Sequence, residues 1–118
     1  MGRLTTHVLD TAHGHPAGGM MLTLHRIGDD GARQKLGTFV TNADGRCDKP
    51  LLNAEDFTIG RYELEFFAGD YFAKLGLKLP DPKFLDVVVI RFGIALANQH
   101  YHVPLLVSPY AYSTYRGS

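Results

Sequence analysis

The chain has 118 residues, 45% of them hydrophobic and 20% charged, with thirteen Gly and six Pro. A globular chain of this size hides roughly two thirds of its unfolded surface without metal or disulfide staples, so residues 1–118 are expected to form one domain. Lys plus Arg and Asp plus Glu are both twelve, which leaves zero formal charge and no concentrated basic field for nucleic acid. Near-zero charge also puts little repulsion between copies and so permits oligomers. Cys47 is the only cysteine, so no internal disulfide and no oxidising compartment are implied. The opening residues lack the apolar run of a signal peptide, and no segment approaches the roughly 18 apolar residues needed to span a bilayer. A cytoplasmic protein without a membrane partner is the expectation.

Apolar residues recur mostly with period two, and Gly, Pro or Asn-Asp clusters interrupt them about every ten residues, which is the pattern of an all-β sandwich or barrel. In chain order the pattern predicts strands over residues 4–10, 20–27, 34–41, 61–68, 84–92, 99–107 and 110–115. A short strand at 51–52 would make eight. Turn signals separate them at Gly18-Gly19, at 28–31, at Asn42-Ala43-Asp44-Gly45, at 80–82 and at Ser108-Pro109. Only 70–77 reads as helical, with Asp70 as its N-cap. In the first strand Leu4, Thr6 and Val8 share one side, and His7 points away from them. Tyr62, Leu64 and Phe66 read as core, with Arg61, Glu63 and Glu65 outward. His100, His102 and Leu106 fall opposite the core set Tyr101, Val103, Leu105 and Val107, so their face is either exposed or covered by a partner. Pro104 removes a ladder donor, which suggests an edge or bulged strand.

Imidazole is the side chain whose unperturbed pKa lies near neutrality, so each of the six histidines is a candidate proton shuttle. For a single histidine the structural reading is the commoner: His25 decorates a strand, and His13 and His15 sit in a Gly-rich loop. His100 and His102 at i and i+2 place two rings on one side of a strand, a spacing that can also hold zinc. Such a site needs a third ligand, for which His7 is a candidate, and no cysteine spacing supports it. The metal-free reading is preferred. Arg46, just after a turn, reads either as a solvated loop charge or as an anion clamp with a planar fork of donors. Cys47 has no His or acid motif around it. The ending Tyr110-Ala111-Tyr112-Ser113-Thr114-Tyr115-Arg116-Gly117-Ser118 stays aromatic and polar to its last residue, where a carboxylate and a hydroxyl beside an Arg could line a polar pocket. No Gly-x-Ser-x-Gly elbow, P-loop or dinucleotide fingerprint occurs.

Four separated segments carry a resemblance: Leu4-Thr5-Thr6-His7-Val8-Leu9-Asp10-Thr11, Asp44-Gly45-Arg46, His100-Tyr101-His102-Val103-Pro104-Leu105-Leu106 and Tyr115-Arg116-Gly117-Ser118. In this order, across the whole chain, they resemble the 5-hydroxyisourate hydrolases, the transthyretin-related enzymes of purine degradation. The terminal Tyr-Arg-Gly-Ser separates these enzymes from transthyretin itself. The resemblance implies a transthyretin-like sandwich of two four-stranded sheets with one short helix. It implies a homotetramer, a dimer of dimers with active sites in a central channel, and a small purine-derived substrate hydrolysed without cofactor or metal. The family's catalytic residues carry over to His7, Arg46 and His102, with Tyr115 and Ser118 shaping the substrate pocket. His102 is the preferred general base, and His100 shares its face. Two other readings are a carrier of a small apolar molecule in the same tetramer channel and an interaction sandwich with no enclosed site.

Overall fold

Period-two alternation of apolar and polar residues, punctuated by glycine-containing turns, produces a fold built mainly of strands in the computed structural model, which describes residues 2–117. In order the strands are β1 (Arg3–Thr5), β2 (Val8–Asp10), β3 (His15–Pro16), β4 (Met21–Ile27), β5 (Arg33–Val40) and β6 (Leu52–Asn53). A 3₁₀ turn, Ala54–Asp56, leads into β7 (Gly60–Phe66), helix α1 (Ala68–Lys74), β8 (Val88–Ile94), β9 (Tyr101–His102), β10 (Leu105–Val107) and β11 (Tyr112–Thr114).

One layer is a regular antiparallel sheet in the order β5-β4-β7-β8. The other consists of two hydrogen-bonded groups, β6-β1-β9 and β11-β10-β2-β3. These groups are continuous as columns. Leu4 faces Tyr101, Thr5 faces His102 and Val8 faces Leu105 in one unbroken parallel register, so β1 runs on into β2 while β9 runs on into β10. β6 and β3 flank the first column, and β11 flanks the second. Counted this way, the expected two four-stranded layers are present.

The expected strands 4–10 and 99–107 are each divided. Val103 N donates to the Thr5 carbonyl and Leu105 N to the His7 carbonyl, both at 2.9 Å, so the donors of the second column run on past Pro104; the break falls at Thr6-His7, where the Thr6 hydroxyl donates to the Val103 carbonyl at 2.7 Å. This corrects the edge-strand expectation: the Pro104 column is interior, flanked on both sides, and Pro104 has no N–H to turn toward the chain-end side of it. The stretch 84–87 is irregular, and the strand expected there begins only at Val88. Helix α1 starts earlier than expected, with Phe67 rather than Asp70 at its N-cap. The entering backbone is tied down by Gly69 N donating to the Asp86 carbonyl at 2.8 Å, which no local sequence signal announces.

Leu4, Val8, Leu22, Leu24, Tyr62, Leu64, Phe66, Phe72 and Leu105 lie fully buried between the layers. Each such side chain contributes about 1.5–3 kcal/mol relative to exposure. Glu63, read as outward, does face away from this core but is itself buried: Arg33 Nε lies 2.9 Å from one of its carboxylate oxygens and Arg91 Nη2 3.2 Å from the other. His25 is buried beside this network, 3.8 Å from Glu65.

Candidate functional site

The divided columns decide which side chains face outward. Leu4, Thr6 and Val8 are buried, so Thr5 and His7 project from the opposite surface; Tyr101 and Val103 are buried, so His102 projects there too. Thr5 lies opposite His102 across the β1–β9 pair, and an antiparallel bridge puts His7 opposite Arg46. Four side chains from three distant segments therefore share one face. Arg46 is carried by a turn closed by Gly45 N donating to the Asn42 carbonyl at 2.9 Å, with Asn42 Oδ1 accepting from Asp44 N and Arg46 N. Only glycine suits position 45: its φ is +76°, and a Cβ there would sit 2.3 Å from the Val8 carbonyl oxygen.

A pocket of about 450 Å³ opens on this face, lined by Arg3, Thr5, Arg46, Cys47, Lys49, His100 and His102 among others. The His102 ring is held from behind, with Nδ1 2.9 Å from Thr5 Oγ1, and among the described residues Nε2 has no hydrogen-bond partner. Burial first, then the charges of Arg46 and His7, holds the His102 pKa below the ordinary imidazole value. His7 is differently engaged. Its Nε2 lies 2.8 Å from the Asp44 carbonyl oxygen, which can only accept, so Nε2 carries the proton and Nδ1 the lone pair. Cys47 is half-buried, and burial together with the neighbouring Asp48 pushes its thiol up, away from a nucleophilic thiolate.

The end of the chain approaches the same histidine. Gly117 N donates to the His102 carbonyl at 2.7 Å, and a Cβ on Gly117 would lie 2.7 Å from His102 Cδ2. Arg116 stacks its guanidinium 4.0 Å from the centre of the Tyr101 ring and donates to Gln99 Oε1 and the His100 carbonyl. This anchoring role of Arg116 and Gly117 escaped sequence reasoning, as did Thr5; no spacing or composition signal reveals a contact made across 97 residues. His100 is exposed and lines the pocket. Tyr115 is also exposed but lines a separate groove with Phe92, Thr114 and Arg116, so within one chain it does not join His102. Ser118 lies outside the described residues. Among those residues, the three-ligand cluster with metal-like spacing is Asp10, His13 and His15, and not the His7, His100 and His102 set raised above.

A curated relative, 5-hydroxyisourate hydrolase of Pseudomonas aeruginosa, is 60% identical over 119 residues, covering 100% of this chain and 93% of its own. The solved structure of Klebsiella pneumoniae 5-hydroxyisourate hydrolase superposes with a TM-score of 0.82 at 36% identity, covering 100% of both chains. Sea bream transthyretin in complex with thyroxine superposes with a TM-score of 0.87 at 29% identity, covering 98% of this chain and 94% of that one. Residues 4–117 match the family described as HIUase/Transthyretin, and with these identities over full length the chain belongs to that family.

Proposed function

We propose that this chain hydrolyses 5-hydroxyisourate to 2-oxo-4-hydroxy-4-carboxy-5-ureidoimidazoline in urate degradation, by metal-free general-base activation of water. The observation that carries this reading is the pairing of a half-buried imidazole, tied through Nδ1 to Thr5 and open at Nε2, with Arg46 in one basic pocket. His102 is neutral near pH 7 because its pKa lies below the usual imidazole range. Its Nε2 takes a proton from a water that attacks the C6 carbonyl. The tetrahedral oxyanion is stabilised by the Arg46 guanidinium, and its collapse breaks the N1–C6 bond as N1 receives the proton from the imidazolium. A positioned base of this kind contributes about 10²–10⁴ in rate, and a charged donor at the oxyanion a comparable factor. His7, with Nε2 bound to the Asp44 carbonyl, holds the Arg46 turn against the column. Tyr115 and Ser118 complete the pocket in the assembled protein.

The assembly we propose is a homotetramer, a dimer of dimers. β8 and β11 are outer strands of their layers, and exposed apolar side chains cluster along or near them, including Val87, Val89, Tyr110 and Tyr112. An unpaired edge bearing apolar side chains is a template for a second copy. Cytoplasmic residence fits a chain in which no helix among the described residues is long and apolar enough to cross a membrane. Carriage of a small apolar ligand is disfavoured by the pocket itself, where Arg3, Arg46, Lys49, His100 and His102 supply charge and hydrogen-bond donors.

The test is to generate 5-hydroxyisourate in situ from urate and to follow its ultraviolet decay with and without the protein. Decay faster than the spontaneous rate, lost in His102→Ala, supports the assignment. Decay at the spontaneous rate overturns it. Gel filtration with light scattering reads the tetramer.

A further inference from the structure

The turn between β2 and β3 carries a second cluster of titratable groups, absent from the His102 pocket and unused by the proposed reaction. Asp10, at the end of β2, is 1% exposed. Its Oδ2 accepts from the Tyr71 hydroxyl at 2.8 Å and from His13 Nδ1 at 2.7 Å, and its Oδ1 accepts from His13 N at 2.9 Å. An ionised carboxylate only accepts, so the His13 proton sits on Nδ1 and the lone pair on Nε2. His15 repeats the arrangement: its Nδ1 lies 2.8 Å from the Pro16 carbonyl oxygen, which leaves Nε2 bare. Both rings reach the surface, nearly parallel at 16° with centroids 5.6 Å apart, and His13 also stacks on Phe72 of α1 at 6.4 Å. One potential ligand atom from each of Asp10, His13 and His15 falls within 4.8 Å of the others.

We propose that this turn binds a divalent transition cation of the zinc class, held by Nε2 of His13 and Nε2 of His15, with Asp10 orienting His13 from behind. Imidazole nitrogen selects zinc, copper or nickel over calcium and magnesium, which prefer oxygen. A metal-bound histidine characteristically donates its other ring N–H to a carboxylate or a backbone carbonyl, and here both rings already do so. The carboxylate behind His13 adds negative charge next to the cation, and Tyr71 fixes that carboxylate in turn. Tetrahedral zinc with bonds of 2.0–2.1 Å needs its ligand atoms about 3.3 Å apart, so the exposed His15 side chain would close on the anchored His13 ring, with water filling the remaining positions. The ion would staple the β2–β3 turn to the first turns of α1 through Asp10, Tyr71 and Phe72.

The experiment is calorimetric titration of the full-length protein with zinc chloride in a non-chelating buffer, repeated on His13→Ala, His15→Ala, His102→Ala and Asp10→Asn. The expected result is saturable binding of one zinc per chain that weakens at least tenfold in His13→Ala and in His15→Ala and persists in His102→Ala. Asp10→Asn, if folded, loses about 10- to 100-fold, as removal of an orienting carboxylate does. Thermal unfolding with and without zinc supplies a second measurement: the midpoint rises for the parent and stays put for His15→Ala, whose exposed side chain has no part in the core. Absence of saturable binding, or binding unaffected by both turn variants, overturns the proposal. So does zinc lost only in His102→Ala, which would place the ion in the His102 pocket.

Discussion

Thr5→Val tests whether the His102 ring works because of how it is held. Valine keeps the branched shape of threonine and its preference for extended backbone, so β1 retains its pairing with β9 while the hydroxyl 2.9 Å from His102 Nδ1 disappears. A net hydrogen bond is worth about 0.5–1.5 kcal/mol. If that energy selects the tautomer with a free Nε2 and the ring angle that reaches water, its loss lowers kcat/KM roughly 2- to 13-fold, since each 1.36 kcal/mol is a factor of ten. The assay is the ultraviolet decay of enzymatically generated 5-hydroxyisourate, read as separate kcat and KM, with urea denaturation alongside. The fall should lie in kcat, unfolding free energy should change by no more than about 1.5 kcal/mol, the upper worth of one such bond, and Thr5→Ser should restore the parent rate. Unchanged kcat/KM in Thr5→Val would show that the contact does not orient a catalytic base. A loss of several hundredfold would show that the hydroxyl itself takes part in the chemistry.

Further outcomes follow from the same geometry. Because burial and the charges of Arg46 and His7 lower the His102 pKa, the acid limb of kcat/KM should fall below the ordinary value of 6.5, and Arg46→Gln should move the limb of the residual activity upward; a pH profile of both proteins reads this. The linked stability has a definite sign: with the folded value depressed, the contribution from neutral His102 is complete above the unfolded value near 6.5 and is lost as pH drops through the folded one. Gly117→Ala places a methyl 2.7 Å from His102 Cδ2, so kcat should drop while the thermal midpoint barely moves, because Gly117 itself lies outside the hydrophobic core cluster. Gly45→Ala combines a left-handed backbone with an approach of 2.3 Å to the Val8 oxygen and should cost about 1–3 kcal/mol or more in urea denaturation. Tyr71→Phe removes a hydrogen bond to a buried charged carboxylate and should cost about 1.5–3 kcal/mol near pH 7. Burial alone would raise the Asp10 pKa, but its bonds from His13 and Tyr71 outweigh burial and lower it. The Tyr71→Phe deficit should therefore shrink as pH falls through the Asp10 value.

Much of the candidate site was legible because period-two geometry is local. The outward direction of His7 and His102 follows from the burial of Leu4, Val8, Tyr101 and Val103, and alternation fixes it wherever backbone stays extended. Arg46 was visible as the charge after a turn, but its solvated and clamping readings could not be separated until the His7 bridge put it on the shared face. Thr5, Arg116 and Gly117 were illegible for a different reason. Their partners are His102, Tyr101 and His100, chosen by strand order and by the route of the chain end, neither of which periodicity encodes.

The sequence by itself determined the class of the fold, the core faces and the residue types available for chemistry, because side-chain alternation, turn-forming residues and ionisable groups are properties of short segments. Only tertiary structure decided that columns 97 residues apart run parallel in one register, that the Thr6 hydroxyl bonds the Val103 carbonyl where the two columns are divided, and that Glu63 is buried on an outward face. It also decided that His13 and His15 stack above a buried Asp10. The physical reason is that hydrogen bonds and close packing between distant segments become favourable only when the whole core closes, and that closure assigns each local surface its neighbours.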